Sequence, residues 1–213
     1  MPTSPRFDNE FRQSLRDLLQ WRRDVRRFRR DPLPVGTLER LVEAASLAPS
    51  VGMSQPWRFV VVDDPVRREA VRANFAQCNE LARTAYDGEK AMLYSRLKLE
   101  GLKEAPLQIA VFADRTSSVG HGLGRRTMPQ TIEYSVVAAI YTMWLVARAE
   151  GIGLGWVSIL DAGQLAVDLD VPHDWLFVAY LCIGYPESDE ITPELLREGW
   201  EDRVPGSSLI LER

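Results

Sequence analysis

"QTIEYSVVAAIYTMWLVARAE", residues 130–150, is apolar on almost every side. Val136, Val137, Ala139, Ile140, Met143, Trp144 and Val146 cannot share one stripe of a helix. A helix of that kind is buried on most sides, and a chain of 213 residues has little protein of its own with which to cover it. The stretch therefore predicts a long central helix and a partner subunit as part of its cover.

Working outward, Phe11, Leu15, Leu18 and Leu19 recur at helical spacing, which predicts a first helix from about Asn9 into an arginine-rich run. Pro32 and Pro34 break the chain, Thr37 is placed to cap a second helix, and Leu38, Leu41, Val42 and Ala45 share its face. "SLAPSVGMSQP" (46–56) reads as a loop, and "WRFVVVD" (57–63) as a strand rich in β-branched and aromatic residues. Residues 65–104 look helical but uneven, with "YDGEK" interrupting them, and are expected to form a mobile excursion. "LQIAVFAD" (107–114) is a second buried strand, and "SSVGHGLG" reads as flexible. Beyond the central helix, "LGWVSIL" (154–160) is extended. Asp161 and Gln164 have capping-box spacing for a short helix, and "WLFVAYLCIGYP" (175–186) is a third strand ending at Gly184. After Pro193 the chain is polar and irregular, suited to reaching across a dimer. Helices and strands interleave without a strict βαβ rhythm, so the expected class is α+β. With no repeat and no linker, residues 1–213 are read as one domain. "GIGLGW" has the wrong glycine order for a dinucleotide loop and follows a helix, so a Rossmann reading is set aside.

Composition narrows the functions. The formal net charge of -4 argues against a nucleic-acid coat. No apolar run reaches the roughly 20 residues of a membrane span, and "MPTSPRFDNEFRQ" lacks the core of a signal peptide. Cys78 and Cys182 make no disulfide framework, and two histidines make no metal cluster. The expectation is a cytoplasmic, metal-free protein.

Against that acidity, "WRRDVRRFRRD" (21–31) packs Arg22, Arg23, Arg26, Arg27, Arg29 and Arg30 around the single carboxylate Asp24. One reading is a solvated face with weak ion pairs. The other is a phosphate clamp, because guanidinium forks match phosphate oxygens and several together offset a dianion's desolvation. "SLAPSVGMSQPW" (46–57) can bring backbone and side-chain donors close to a ligand, and "LGWVS" is a glycine-rich turn carrying Ser158.

Taken in order, "RRDVRRF", "APSVGMSQPW" and "EGIGLGWVS" resemble the flavin-dependent nitroreductase superfamily through about residues 15–205. The resemblance implies a mainly antiparallel sheet sandwiched by helices, in a domain-swapped homodimer whose C-terminal segments, here about 187–213, are exchanged. It also implies that FMN is gripped by the arginine motif. Three departures are informative: Asp24 stands where the usual motif has Ser, Met53 where the usual loop has Asn, and Gly155-Trp156-Val157-Ser158 where the usual P-x-E-G would be. Together they resemble a flavin-fragmenting branch of the superfamily. Its members consume reduced FMN and O2 and cut the flavin into the benzimidazole lower ligand of vitamin B12 and erythrose 4-phosphate.

On this resemblance Arg22 and Arg23 bind phosphate, with Arg203 in "EDRVPG" as a further ligand, and Arg26 meets the N1/O2 edge of the flavin. Asp24 is the expected acid/base group and Ser158 a hydroxyl near N5, while Val25, Gly155 and Trp156 lie at the flavin. Pro49, Ser50, Val51 and Met53 approach from the partner subunit. At Asp24 neighbouring arginine favours the carboxylate and burial favours the acid, a contest the sequence leaves open. Residues 85–104 would form a lid, with Tyr94 and Lys98 either reaching inward or lying on a solvated helix. A separate flavin reductase would supply reduced FMN, with NAD(P)H used indirectly. The alternatives are an NAD(P)H-dependent nitroreductase or dehalogenase-like enzyme that keeps its FMN, and a flavin carrier without catalysis.

Overall fold

The protein is described from a computed structural model, over residues 4–213. Its core is a four-stranded sheet of β1 (Trp57–Val61), β2 (Leu107–Asp114), β3 (Gly153–Val157) and β4 (Trp175–Gly184), ordered β1-β2-β4-β3 with every pair antiparallel. β2 shows why its sequence reads as one apolar run: both faces are covered. Ile109, Val111 and Ala113 point into one hydrophobic cluster, and Ala110 and Phe112 into another. Helices α2 (Thr37–Ala45) and α5 (Thr131–Ala149) fill the first side through Leu41, Ala45, Ile140 and Met143. Helices α3 (Pro65–Arg83) and α6 (Ala162–Asp168) fill the second through Val71 and Leu165. The expected α+β sandwich is therefore the observed one. The extended segment after the central helix pairs as β3, which makes Trp175–Gly184 the fourth strand of the chain and not the third.

Helix starts follow local chemistry. Asp161 accepts the N–H of Gln164 at 2.8 Å, the cap expected from the spacing. At α2 the cap position belongs to Gly36, whose φ of 82° suits glycine, and Thr37 is the first helical residue. Its hydroxyl turns back to donate to the Pro34 carbonyl at 2.7 Å, so Thr37 is not itself the cap. The uneven 65–104 region resolves into α3, a short α4 (Gly88–Tyr94) and connecting turns.

Two surfaces remain apolar. The first helix, α1 (Asn9–Trp21), buries none of its residues and leaves Phe11, Leu15, Leu19 and Trp21 exposed along one side. The central helix α5 buries Val136, Ala139, Ile140 and Met143 but exposes Tyr134, Val137 and Tyr141. Among the described residues, no helix is long and apolar enough to cross a membrane.

Between α1 and α2 the chain runs as a strap along the outer edge of β3. Asp24 bridges Leu154 in parallel, and Phe28 bridges Pro186 in antiparallel fashion. Phe28 is almost completely buried, and its ring fills a cradle in which β-carbons at Gly101 or Gly184 would lie 2.4 and 3.2 Å from ring atoms.

Candidate functional site

The strap carries the arginine motif, and its geometry is set by β3. The Val25 N–H donates to the Leu154 carbonyl at 3.1 Å. A β-carbon on Gly155 would come within 2.0 Å of the Val25 carbonyl oxygen, and one on Gly153 within 2.8 Å of the Val25 side chain. The glycines of "GLGW" are thus needed for strap and strand to touch. One residue further, the edge N–H of Trp156 donates to Asp24 Oδ1 at 2.8 Å. The carboxylate replaces the carbonyl that a neighbouring strand would have offered. Its other oxygen, Oδ2, accepts from Arg26 Nε at 2.9 Å. Asp24 stays partly open to a cleft lined by Arg23, Asp24, Val25, Arg26, Trp144 and Arg148, among others.

The cations are arranged unusually. Arg22 lies over Trp144, its guanidinium carbon 4.7 Å from the ring centroid, and 5.9 Å from that of Tyr141. Its Nε is buried with no hydrogen-bond partner among the described residues. Arg23 donates to the carbonyls of Gln20, Arg22 and Ile191, and Trp144 Nε1 pins the Arg23 carbonyl at 3.1 Å. Burial lowers the pKa of Arg23, and the charges of Arg203, Arg22 and Arg148 lower it further. Among the described residues, no carboxylate pairs with Arg22, Arg23 or Arg203, whereas Arg148 pairs with Asp189. Arg22, Arg23 and Arg203 thus lie near one another without ion-pair partners, and although the Arg23 nitrogens are held by backbone carbonyls, the stranded donor of Arg22 is suited to a phosphate oxygen.

The structure therefore brings Arg22, Arg23, Asp24, Val25 and Arg26 together and adds Arg203 to their electrostatic neighbourhood. Arg26 donates Nη1 to the Lys98 carbonyl at 3.0 Å, so two of its nitrogens are engaged within the protein. Pro49, Ser50, Val51 and Met53 do not line this cleft within one chain, nor do Arg22, Gly155, Trp156, Ser158 or Arg203. Met53 is 81% exposed on its loop, and Ser158 is exposed just past the end of β3. In residues 85–104, Tyr94 is buried, stacks on Tyr86 at 4.9 Å and donates to Asn79 at 2.8 Å. The Lys98 amine pairs with Glu100 and Glu104. Neither side chain lines the Asp24 cleft.

Two contributors were not legible. Trp144 reads as core in an all-apolar helix, yet it shelves Arg22 and holds the Arg23 backbone. Arg148, in the last turn of α5, was not singled out from sequence, yet it lines the cleft. Phe28 had a signal: one aromatic residue in a run of arginines marks the point where a solvated strap must turn inward.

The "Nitroreductase family" model matches residues 19–185. A 5,6-dimethylbenzimidazole synthase of Rhodospirillum rubrum is 57% identical over 205 residues, 96% of this chain and 97% of that protein. One from Rhodobacter capsulatus is 49% identical over 93% of this chain and 96% of its own length. Among solved structures, oxidized iodotyrosine deiodinase bound to FMN and 3-iodo-L-tyrosine superposes with a TM-score of 0.70 at 24% identity, covering 83% of this chain and 91% of that one.

Proposed function

Because the chain belongs to the nitroreductase family, we propose that it catalyses the 5,6-dimethylbenzimidazole synthase reaction, the oxygen-dependent fragmentation of reduced FMN. The likeness to proteins of that name over nearly the whole length carries this reading, and the unmatched cations beside Asp24 fit the substrate. The products are the benzimidazole used as the lower ligand of vitamin B12 and erythrose 4-phosphate.

Reduced FMN, when bound, supplies both the electrons that O2 takes up and the carbon of the benzimidazole. Arg22, Arg23 and Arg203 hold its phosphate, and the stranded Nε of Arg22 gains the partner it lacks. Asp24 holds or releases a proton at Oδ2, the oxygen not used by the Trp156 N–H. The Trp156 N–H and Arg26 fix the direction in which that oxygen faces, so no reorganisation is needed when the proton moves. Residues 85–104 serve as the lid that excludes water, joined to the strap by the Arg26 contact to Lys98.

The site is completed in a homodimer. The exposed apolar sides of α1 and α5 meet a second copy, Pro49, Ser50, Val51 and Met53 reach the flavin across that interface, Ser158 lies near N5, and residues 187–213 exchange between subunits. A separate flavin reductase, using NAD(P)H, delivers reduced FMN. The whole chain acts as one domain, in a cytoplasm that keeps Cys78 and Cys182 as the free thiols they are.

The test is to mix the protein with chemically reduced FMN in air and detect fragments by mass. Dimethylbenzimidazole formation supports the proposal. FMN recovered intact, with NADH oxidised in the presence of a nitroaromatic, supports a recycling reductase. FMN bound and unchanged supports a carrier.

A further inference from the structure

The loop that carries Met53 is held in a conformation that side chains resist. Gly52, Met53 and Gln55 have φ of 58°, 54° and 43°, so two residues bearing side chains occupy the left-handed region. Asparagine tolerates that region, whereas methionine gains nothing there from a local hydrogen bond. Something outside the loop must compensate.

The compensation comes from residues 118–124, a segment whose sequence reads only as flexible. Gly120, His121, Gly122 and Gly124 all have positive φ, which coils the segment tightly against the Met53 loop. The contact is backbone to backbone: a β-carbon on Gly120 would meet the Gly52 carbonyl oxygen at 2.6 Å, and one on Gly52 would meet the Gly120 carbonyl oxygen at 2.9 Å. A β-carbon on Gly124 would lie 2.7 Å from Val51 Cγ2. From the other side, the Val51 N–H donates to the buried Ser135 hydroxyl of α5 at 3.0 Å. The Gln55 N–H donates to the Ser50 hydroxyl at 3.1 Å. Met53 itself projects outward, so the rigidity is spent on presenting its side chain and not on burying it.

We propose that residues 118–124 are a buttress that fixes the left-handed Met53 loop, and that Gly120 and Gly124 are positioning residues for the flavin-facing end of that loop. The second half of this statement rests on the proposed flavin site; the first does not. Two measurements on the full-length protein separate them. Hydrogen exchange without flavin reads the buttress. In Gly120→Ala, amides 51–55 exchange at least about tenfold faster while those of β2 and β4 stay protected. Protection retained at 51–55, or lost throughout the sheet, overturns the buttress. Met53→Asn keeps the test open should Gly120→Ala not fold: it slows exchange at 52–55 by about fivefold, and acceleration overturns the claim that Met53 is strained. Titration with FMN then reads the link to the site. Gly120→Ala binds FMN about tenfold more weakly, and adding Met53→Asn restores most of that loss. Unchanged binding in Gly120→Ala, or failure of the second substitution to rescue it, overturns the positioning role and leaves the exchange result standing.

Discussion

Asp24 and Trp156 meet where a side-chain carboxylate caps the free edge of a sheet, Oδ1 accepting the backbone N–H at 2.8 Å. The same carboxylate is tied to Arg26 and opens on the cleft. Under the proposed function the proton would be held at Oδ2, the oxygen paired with Arg26, while Oδ1 caps the edge, so substitutions can separate the two.

Asp24→Asn retains an acceptor for the Trp156 N–H but loses the one for Arg26 Nε and cannot exchange a proton. We expect FMN binding within a few-fold of wild type and no dimethylbenzimidazole, read by fluorescence titration and mass detection. Asp24→Ala strands the edge N–H as well and loses about 1–3 kcal/mol in urea unfolding. Equal stability of the two variants would deny Asp24 its edge-capping part.

Arg22→Ala removes a guanidinium whose Nε has no protein partner. FMN affinity falls by about 1.5–3 kcal/mol, the range for hydrogen bonds to charged groups, while the unfolding midpoint barely moves. The reverse pattern, lost stability with intact affinity, would make Arg22 a packing residue on Trp144.

Gly155→Ala drives a methyl group into the Val25 carbonyl. Overpacking of this kind costs about 1–3 kcal/mol, and the strap must shift off β3. Both stability and FMN affinity decline, and the Asp24→Ala and Gly155→Ala losses combine to less than their sum because they disturb one contact.

At the end of β2, burial raises the pKa of Asp114, but hydrogen bonds from the Thr116 hydroxyl and N–H, the Arg58 charge and the Ser117 N–H outweigh it and hold the carboxyl below its usual value. A lowered folded pKa stabilises the protein above the unfolded value, about pH 4, and that contribution is lost as pH falls through the folded value. Asp114→Asn therefore lowers stability at pH 7 and flattens the acid limb of a stability-against-pH curve.

Leu15→Glu with Leu19→Glu places charge on the bare side of α1. If the proposed homodimer completes the site, sedimentation shows a monomer and FMN binding weakens with it. A stable dimer in the double variant would move the interface elsewhere.

The fold was legible where one period dominated. β2 and α5 announce themselves because burial leaves few polar positions in either, and Asp161 announces α6 through its cap. Thr37 misled because its hydroxyl found Pro34 before it could serve the helix. The arginine motif was legible as a set through its spacing and its resemblance. The partnership of Asp24 with Trp156 was not, since 132 residues separate them and only the strap's register along β3 joins them. The contact of 118–124 with the Met53 loop was not legible for a related reason. Glycine in sequence signals freedom, and only the facing Gly52 shows that here it signals contact.

The strap has one more consequence. An uncovered strand is a template for pairing with other chains, and the segment that bears Asp24 is what covers β3. Substitutions that peel it away, Gly155→Ala foremost, should send the polypeptide into inclusion bodies when overproduced. The residues proposed to hold the flavin thus also keep a strand edge from sticking to other chains.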